Sequence, residues 1–177
     1  ELASPDDLAL AHDDGYIAAV EAFGAAGGGQ LDPDTSATPG SWTTARRAAG
    51  AVLGAIEALR NDECDVAFAA GRPPGHHAVR DRAMGFCLFN NAAVGAAKLA
   101  VAGERVAIVD WDVHHGNGTQ DIFYTDPRVL YVSTHESPLY PGTGQLRERG
   151  GGAGEGTNLN LPFPAGTAGD TYRAARL

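Results

Sequence analysis

Residues 105–120, RVAIVDWDVHHGNGTQ, decide the fold of this chain, because an apolar run ends there in two carboxylates and two imidazoles. The run RVAIVD (105–110) is typical of a buried strand. In an extended segment every second side chain points to the same face, so Asp110, Asp112 and His114 are predicted to share one face. Carboxylate and neutral imidazole groups are a common ligand mixture for zinc, and a catalytic zinc site needs only three protein ligands. The stretch therefore predicts a metal site at the polar end of a strand.

A second pair of adjacent histidines, His76 and His77, lies in the proline-rich stretch GRPPGHHA. Two neighbouring imidazoles repel each other when both are protonated, which helps to keep at least one of them neutral near neutral pH. A neutral imidazole can serve as the base for a metal-bound water within hydrogen-bond reach. Taken alone, the pair is equally typical of a rigid loop whose histidines cap backbone groups. Its position after another apolar run favours the catalytic interpretation.

The apolar runs of the chain predict several strands with helical patterns between them. The segment NNAAVGAAKLAVA (90–102), capped by Asn90 and followed by Gly103, predicts a helix between the first two strands. Continuous apolar runs indicate burial on both faces, as in a parallel sheet covered by helices. Functional groups gather beyond the carboxyl ends of such strands, so the polar motifs are expected to meet in one crevice. The predicted strands are DVAFAA (65–70), RVAIVD (105–110), VLYVSTH (129–135) and a further strand at about 157–162.

The remaining segments predict helices and one long loop. Ser4 begins a short helix, a second helix covers roughly 13–23, and residues 43–60 carry a clear apolar stripe at helical spacing. The stretch LDPDTSATPGSW (31–42) has no helical or strand period and is predicted to be a surface loop. A last helix is expected to open at about Ala168.

Composition limits the classes of function that this chain can have. With 177 residues, 44% hydrophobic and 20% charged, it is long enough for one globular domain. The formal net charge of −9 argues against a basic nucleic-acid-binding surface and mildly favours cationic ligands. No apolar run approaches the roughly 20 residues that a membrane-spanning helix needs. Cys64 and Cys87 form no CxxC pattern, so both are interpreted as reduced thiols in a cytoplasmic protein.

Together these motifs resemble the zinc-dependent histone deacetylase superfamily, which includes the acetylpolyamine amidohydrolases. The matching stretches are RPPGHHA, GFCLFNNAA, VAIVDWDVHHGNGTQ, YVSTHESPLYPGTG and NLNLPFPAGT, in family order over about residues 9–175. The RPPGHHA form and the Asn at position 117 are more similar to the class II and bacterial branch than to class I. The resemblance implies a three-layer αβα arginase/deacetylase-like fold with a parallel sheet. Residues 1–177 are then expected to be a partial domain, about half of the whole, without the family's first strand and C-terminal half.

The resemblance also implies two kinds of metal ion. Asp112 and His114 correspond to direct ligands of Zn²⁺, and the third ligand, an Asp in the family, falls outside the chain. A structural monovalent cation, usually K⁺, is implied beside the zinc. Its implied ligands are Asp110, Asp112, His114, Ser133 and Thr134.

The resemblance assigns the catalytic and substrate-binding residues as follows. His77 is the implied general base, His76 is its tandem partner hydrogen-bonded to Asp110, and Asn117 holds the His77 ring in its working orientation. Further residues are implied to line a narrow channel for the acetylated alkylamine or to grip that substrate at the rim. Asp32 is an alternative to Asp34 in the second role. These residues are Phe86, Gly85, Tyr140 and Asp34.

The implied activity is zinc-dependent removal of an acetyl group from acetyl-lysine, an acetylpolyamine or an acetylated metabolite. The expected partners are therefore an acetylated protein or peptide or an acetylated polyamine, with no nucleic acid and no membrane, and oligomerisation is left open. The family's oxyanion-stabilising Tyr also falls outside the chain, and loss of one such donor costs about 10²–10³ in rate. This keeps open a non-catalytic fragment that binds an acetylated ligand or a partner. A related manganese ureohydrolase is disfavoured, because that family lacks the GHH pair.

Overall fold

The computed structural model describes residues 1–175, which form six helices, one 3-10 turn and five strands. The helices are α1 (Pro5–Leu8), α2 (Asp14–Ala25), α3 (Ser41–Arg60), α4 (Asn91–Val101), α5 (Asn117–Phe123) and α6 (Gly169–Ala174), and the 3-10 turn is Gly152–Gly154. The strands are β1 (Gly29–Asp32), β2 (Thr35–Ala37), β3 (Val106–Asp110), β4 (Val129–Glu136) and β5 (Asn158–Phe163). The helix predicted to open at about Ala168 is present as α6, and residues 176 and 177 of that prediction lie outside the described residues.

Strands β3, β4 and β5 form a parallel sheet with β4 in the middle, which confirms the predicted α/β architecture. The register places Asp110, the last residue of β3, opposite Ser133 of β4, and Ser133 opposite Asn160 of β5. The carboxyl ends of β3 and β4 are therefore neighbours. The polar residues that follow β3 come to lie beside the end of β4.

Helix α4 packs on α3 and is fixed at its start by a side-chain cap. The Asn90 side-chain oxygen Oδ1 accepts the Ala93 N–H at 3.0 Å, which confirms the predicted N-cap. Phe89, directly before it, is fully buried with Tyr16 and Trp42 edge-on to its ring at centroid distances of 5.8 and 5.9 Å. This core anchors the segment that leads from the histidine pair into α4.

The strand predicted over 65–70 is wrong: the segment forms no regular strand. Val66 and Phe68 are 83% and 92% exposed. A strand needs a neighbour that shares its backbone hydrogen bonds, and within residues 1–175 no strand pairs with this segment. A cleft of about 450 Å³ is lined by this part of the chain and by β3. The predicted strand–helix–strand unit therefore lacks its first strand.

Two further expectations differ from the structure. Burial of β3 on both faces is wrong, because its residues alternate between half-buried and exposed and Val109 is 52% exposed. The stretch 31–42 is not wholly a loop, since β1 and β2 form an antiparallel hairpin. The Asp32 carboxylate closes that hairpin by accepting backbone N–H groups across the turn, a role for Asp that hydrophobic periodicity does not reveal. None of the described helices is long and apolar enough to cross a membrane.

Candidate active site

The first of the tandem histidines, His76, is bound to a carboxylate. Its Nδ1 lies 2.9 Å from Asp110 Oδ2, as predicted. Burial alone raises the pKa of Asp110, but the hydrogen bond and charge of His76 outweigh it and leave that pKa below its usual value. Burial likewise lowers the pKa of His76, and the hydrogen bond and charge of Asp110 reverse this and raise it. Because an ionised Asp110 only accepts, the His76 Nδ1–H donates to it.

Asp110 is held by more than His76. Tyr131, a buried residue of β4, donates its phenolic O–H to the same Oδ2 at 3.0 Å. The Asp112 N–H donates to the other oxygen, Oδ1, at 3.1 Å. Gly116 leaves the space in which His76, Asp110 and Tyr131 meet, since a methyl group on it would overlap with atoms of Asp110 and Tyr131 and lie in tight contact with His76. Each oxygen of Asp110 is therefore engaged and its rotamer is fixed.

The second histidine, His77, is bound to an amide. Its Nδ1 lies 2.9 Å from Asn117 Oδ1, the first residue of α5, where the sequence placed it. Burial and then the charge of His76 lower the pKa of His77, and the bond to Asn117 opposes them only in part. His77 is thus a neutral imidazole whose Nδ1–H donates to Asn117. Its Nε2 is left as an acceptor, which is the state required of a base.

Asp112 and His114 lie just beyond β3, in turns rather than in an extended strand. The prediction that Asp110, Asp112 and His114 share one strand face is therefore wrong, because β3 ends at Asp110. The backbone N–H groups of Asp112 and His114 instead bond to carboxylates two residues earlier. This turn nevertheless brings Asp112 Oδ1 within 3.1 Å of His114 Nδ1.

These two side chains fit a zinc ion. Two ligands on a tetrahedral zinc with bonds of about 2.0–2.1 Å lie about 3.3 Å apart, close to the observed separation. Both side chains are half-exposed, at 50% for Asp112 and 40% for His114. The ring centroid of His77 lies 6.0 Å from that of His114. Within residues 1–175 no group of three or more His, Cys, Asp or Glu side chains has the geometry of a metal site.

The residues implied for the monovalent cation are brought together only in part. Ser133 is opposite Asp110 in the sheet, and Thr134 Oγ1 lies 3.5 Å from the Asp110 carbonyl oxygen. Ser133 Oγ lies 2.9 Å from His135 Nδ1, while His135 Nε2 lies 3.0 Å from the Gly144 carbonyl oxygen. Because that carbonyl can only accept, His135 carries its proton on Nε2 and the Ser133 hydroxyl donates to Nδ1. The Ser133 lone pairs then remain available as oxygen ligands.

The predicted channel residues meet around His77. The ring centroid of Tyr140 lies 5.0 Å from that of His77, with the two rings nearly perpendicular. Burial and then the charge of Asp34 raise the pKa of Tyr140 to about 12. Gly85 is packed against the His77 ring, where a methyl group would overlap with ring atoms. Phe86, which follows it, is 61% exposed.

Of the two carboxylates considered for gripping the substrate, Asp34 lies beside the predicted channel residues and Asp32 does not. Asp34 Oδ1 accepts the Gly85 N–H at 3.0 Å, so it lies at the channel residues. Asp32 Oδ1 instead accepts the N–H groups of Asp34 and Thr35 and serves the hairpin turn. The contact of Asp34 with the substrate remains a prediction.

His115 points away from the site into a buried polar network. Its Nδ1 lies 2.8 Å from Thr143 Oγ1 and its Nε2 lies 3.1 Å from Gln120 Oε1. Burial lowers the pKa of His115 to about 4. The Gln120 amide donates to the Glu148 carboxylate at 2.7 Å, and the same carboxylate accepts the Gly144 N–H. The network thereby holds the turn that follows Tyr140.

Sequence reasoning missed four polar residues that support the site. They join elements far apart in the chain, and the only available signal was a polar residue within or beside an apolar or turn segment. These residues are Thr35, Gln120, Tyr131 and Glu148.

The described residues thus combine a parallel α/β sheet with tandem histidines beside a carboxylate–imidazole pair. Residues 1–176 match the Histone deacetylase domain family. The crystal structure of the HDA15 HD domain is similar, with a TM-score of 0.88 and 42% identity over 92% of this chain. The chain therefore belongs to the histone deacetylase family and has its fold.

Two relatives show how much of the family's length the chain covers. It is 47% identical to a probable deacetylase of Archaeoglobus fulgidus and 44% identical to a histone deacetylase-like amidohydrolase of Pseudomonas aeruginosa. These matches span 96% and 98% of the chain but 47% and 46% of the relatives. The match to the HDA15 HD domain covers 47% of that chain. The chain thus spans about half the length of the proteins that it matches.

Proposed function

We propose that the protein containing this chain removes acetyl groups from acetyl-lysine side chains or related acetylated amines. The observation that carries the proposal is the pair of adjacent histidines with different partners on Nδ1, the Asp110 carboxylate for His76 and the Asn117 amide for His77. These partners agree with a raised pKa for His76 and a lowered pKa for His77. One imidazole is thereby a base and its neighbour an acid, which are the two proton carriers that amide hydrolysis needs. The deacetylase and amidohydrolase names of the relatives support the same reaction class.

The proposed metal is zinc, held in this chain by Asp112 and His114. When bound, zinc supplies a Lewis acid that polarises the acetyl carbonyl and lowers the pKa of water from 15.7 towards about 7. The proposed K⁺ ion stabilises the segment of the chain that carries Asp112 and His114. Its ligands are drawn from Asp110, Asp112, His114, Ser133 and Thr134.

The chain's own residues move the protons. His77 Nε2 takes a proton from the attacking water, whose oxygen forms a new bond to the carbonyl carbon. His76, which is held protonated by Asp110, gives a proton to the amine nitrogen as the C–N bond breaks. The products are acetate and the free amine. Phe86, Gly85 and Tyr140 hold the alkyl chain and limit the access of water.

The substrate class follows from charge and from the shared acetamide group. Acetyl-lysine in a peptide, an acetylpolyamine and an acetylated metabolite present the same group on an alkyl chain. The net charge of −9 favours cationic members of this set and disfavours nucleic acid as a partner. Cys64 and Cys87 are free thiols, which supports the proposed cytoplasmic location.

The alternative is a non-catalytic module that binds an acetylated ligand or a partner. A catalytic zinc site uses three protein ligands, of which Asp112 and His114 are the two proposed in this chain. A module of this kind binds an acetyl-lysine peptide without releasing acetate.

The deciding experiment measures acetate release by the full-length protein from an acetyl-lysine peptide and from an acetylated polyamine. The protein is stripped of metal and then supplied with zinc or manganese. We expect activity with zinc that is lost in Asp112→Ala and His114→Ala. Asp121→Ala, on an exposed position of α5, is the matched control and keeps full activity.

Two results contradict the proposal. Peptide binding without acetate release at any zinc concentration favours the binding module. Activity with two manganese ions per chain favours the ureohydrolase alternative.

A further inference from the structure

Phe86 holds a backbone conformation that non-glycine residues rarely adopt. Its φ is +65°, directly after Gly85 at +58°. For a bulky residue this left-handed conformation is unfavourable and persists only where the surrounding structure enforces it. The Phe86 side chain is 61% exposed, so packing of its ring does not supply the restraint. The restraint must act on the backbone.

The backbone of this turn is bound to the Asp34–Thr35 dipeptide. Thr35 Oγ1 accepts the Phe86 N–H at 2.9 Å, and Asp34 Oδ1 accepts the Gly85 N–H at 3.0 Å. The Thr35 hydroxyl donates to the same Asp34 oxygen at 2.7 Å. Both N–H groups of the left-handed turn are therefore held by one short polar unit.

This polar unit is itself fixed. Thr35 is the first residue of β2 and is 1% exposed. The Asp32 carboxylate accepts the N–H groups of Asp34 and Thr35 at 2.9 and 3.0 Å, which closes the β1–β2 hairpin. Because the Thr35 side chain cannot move without moving the hairpin, it is a rigid anchor for Phe86.

We propose that Thr35 is a positioning residue that sets the placement of Phe86 and thereby the entrance of the substrate channel. The inference rests on the proposed deacetylase function for its effect on substrate. Thr35 acts through the Phe86 backbone rather than by touching the substrate. Since Phe86 is assigned to the binding of the alkyl chain and not to proton transfer, Thr35 governs KM rather than kcat.

The test compares Thr35→Val with Thr35→Ser in the full-length protein. Valine keeps the shape of threonine but removes the hydroxyl, whereas serine keeps the hydroxyl and removes the methyl group. Loss of a hydrogen bond of this kind is worth roughly a two- to tenfold change. We expect KM for an acetyl-lysine peptide to rise by about that factor in Thr35→Val, with kcat within about twofold of the unsubstituted protein. Thr35→Ser restores the original KM.

A second measurement does not depend on activity. Hydrogen exchange of the Phe86 amide, followed by NMR, reports directly on its bond to Thr35. We expect faster exchange in Thr35→Val, by a factor of the same order, and unchanged exchange in Thr35→Ser. Thermal unfolding of both variants establishes that they are folded.

The results separate this inference from the proposed function. If the Phe86 amide is equally protected in all three proteins, or if Thr35→Ser behaves like Thr35→Val, the positioning role is overturned. If no protein releases acetate but the Phe86 amide exchanges faster in Thr35→Val alone, the positioning role stands and the deacetylase proposal fails.

Discussion

The site contains two histidine dyads, His76–Asp110 and His77–Asn117. They have the same geometry, but the pKa values of their imidazoles are shifted in opposite directions. The rings of His76 and His77 lie 4.0 Å apart, and each Nδ1 is 2.9 Å from a side-chain oxygen. Burial lowers the pKa of both rings. The carboxylate of Asp110 more than reverses this effect for His76, whereas the neutral amide of Asn117 does not for His77. The partner on Nδ1, rather than depth in the protein, therefore sets the direction of each pKa shift, and with it the proposed roles of acid and base.

The largest expected effect comes from removing the proposed base, His77. His77→Ala is expected to lower kcat/KM by about 10²–10⁴, the usual contribution of a general base, because no other neutral imidazole lies at the same place among the described residues. His76→Ala is expected to lose less, since the attacking water still has its base. Steady-state kinetics of the full-length variants, with zinc content measured in parallel, check this order. A His77→Ala variant with full activity contradicts the base assignment.

The features that depend on a few neighbouring residues could be predicted from the sequence. The contacts between residues far apart in the chain could not. The two histidine pairs, the parallel strands and the Asn90 cap follow from patterns within a few residues, so β3, β4 and α4 lie within one or two residues of their predicted bounds. The bond between His76 and Asp110 spans 34 positions. Its prediction came from family resemblance and not from spacing.

The wrong predictions share a physical cause. The segment 65–70 has the composition of a strand, but strand formation needs a partner that composition does not report. The polar end of β3 has the alternation of a strand, but Asp110 and Asp112 capture backbone N–H groups and turn the chain instead. In both places a contact outside the local pattern decides the structure.

A second test of the difference between the two dyads adds a methyl group beside the His76–Asp110 pair and leaves its polar groups unchanged. Gly116→Ala places a methyl group against His76, Asp110 and Tyr131 at once. Loss of such a supporting arrangement typically costs 10–100-fold in activity, and we expect a fall of about that size in kcat. Gly54→Ala is the matched control, because nothing lies within 4 Å of a methyl group there. Equal kcat values in the two variants contradict the requirement for open space at Gly116.

A milder change removes only one donor from the same dyad. Tyr131→Phe keeps the buried ring but removes the O–H that donates to Asp110 Oδ2. We expect kcat to fall about tenfold, at the low end for a supporting residue, with KM unchanged. Tyr16→Phe removes a half-buried phenol that donates to the Leu88 carbonyl oxygen outside the dyad, and keeps the original kcat. If both variants behave alike, the phenol of Tyr131 serves packing only.

The smallest and sharpest change makes the two dyads alike. Asn117→Asp gives His77 the same kind of partner that His76 has, so a negative charge now favours its protonated form and raises its pKa. Because the neutral form of His77 is the proposed base, the acid limb of the pH profile of kcat/KM is expected to move to higher pH. The plateau at high pH stays within about threefold, since the hydrogen bond on Nδ1 is retained. Asn61→Asp adds the same charge on an exposed residue after α3 and leaves the profile in place. An acid limb that does not move in Asn117→Asp means that a group other than His77 controls it, and the division of labour between the two histidines is then wrong.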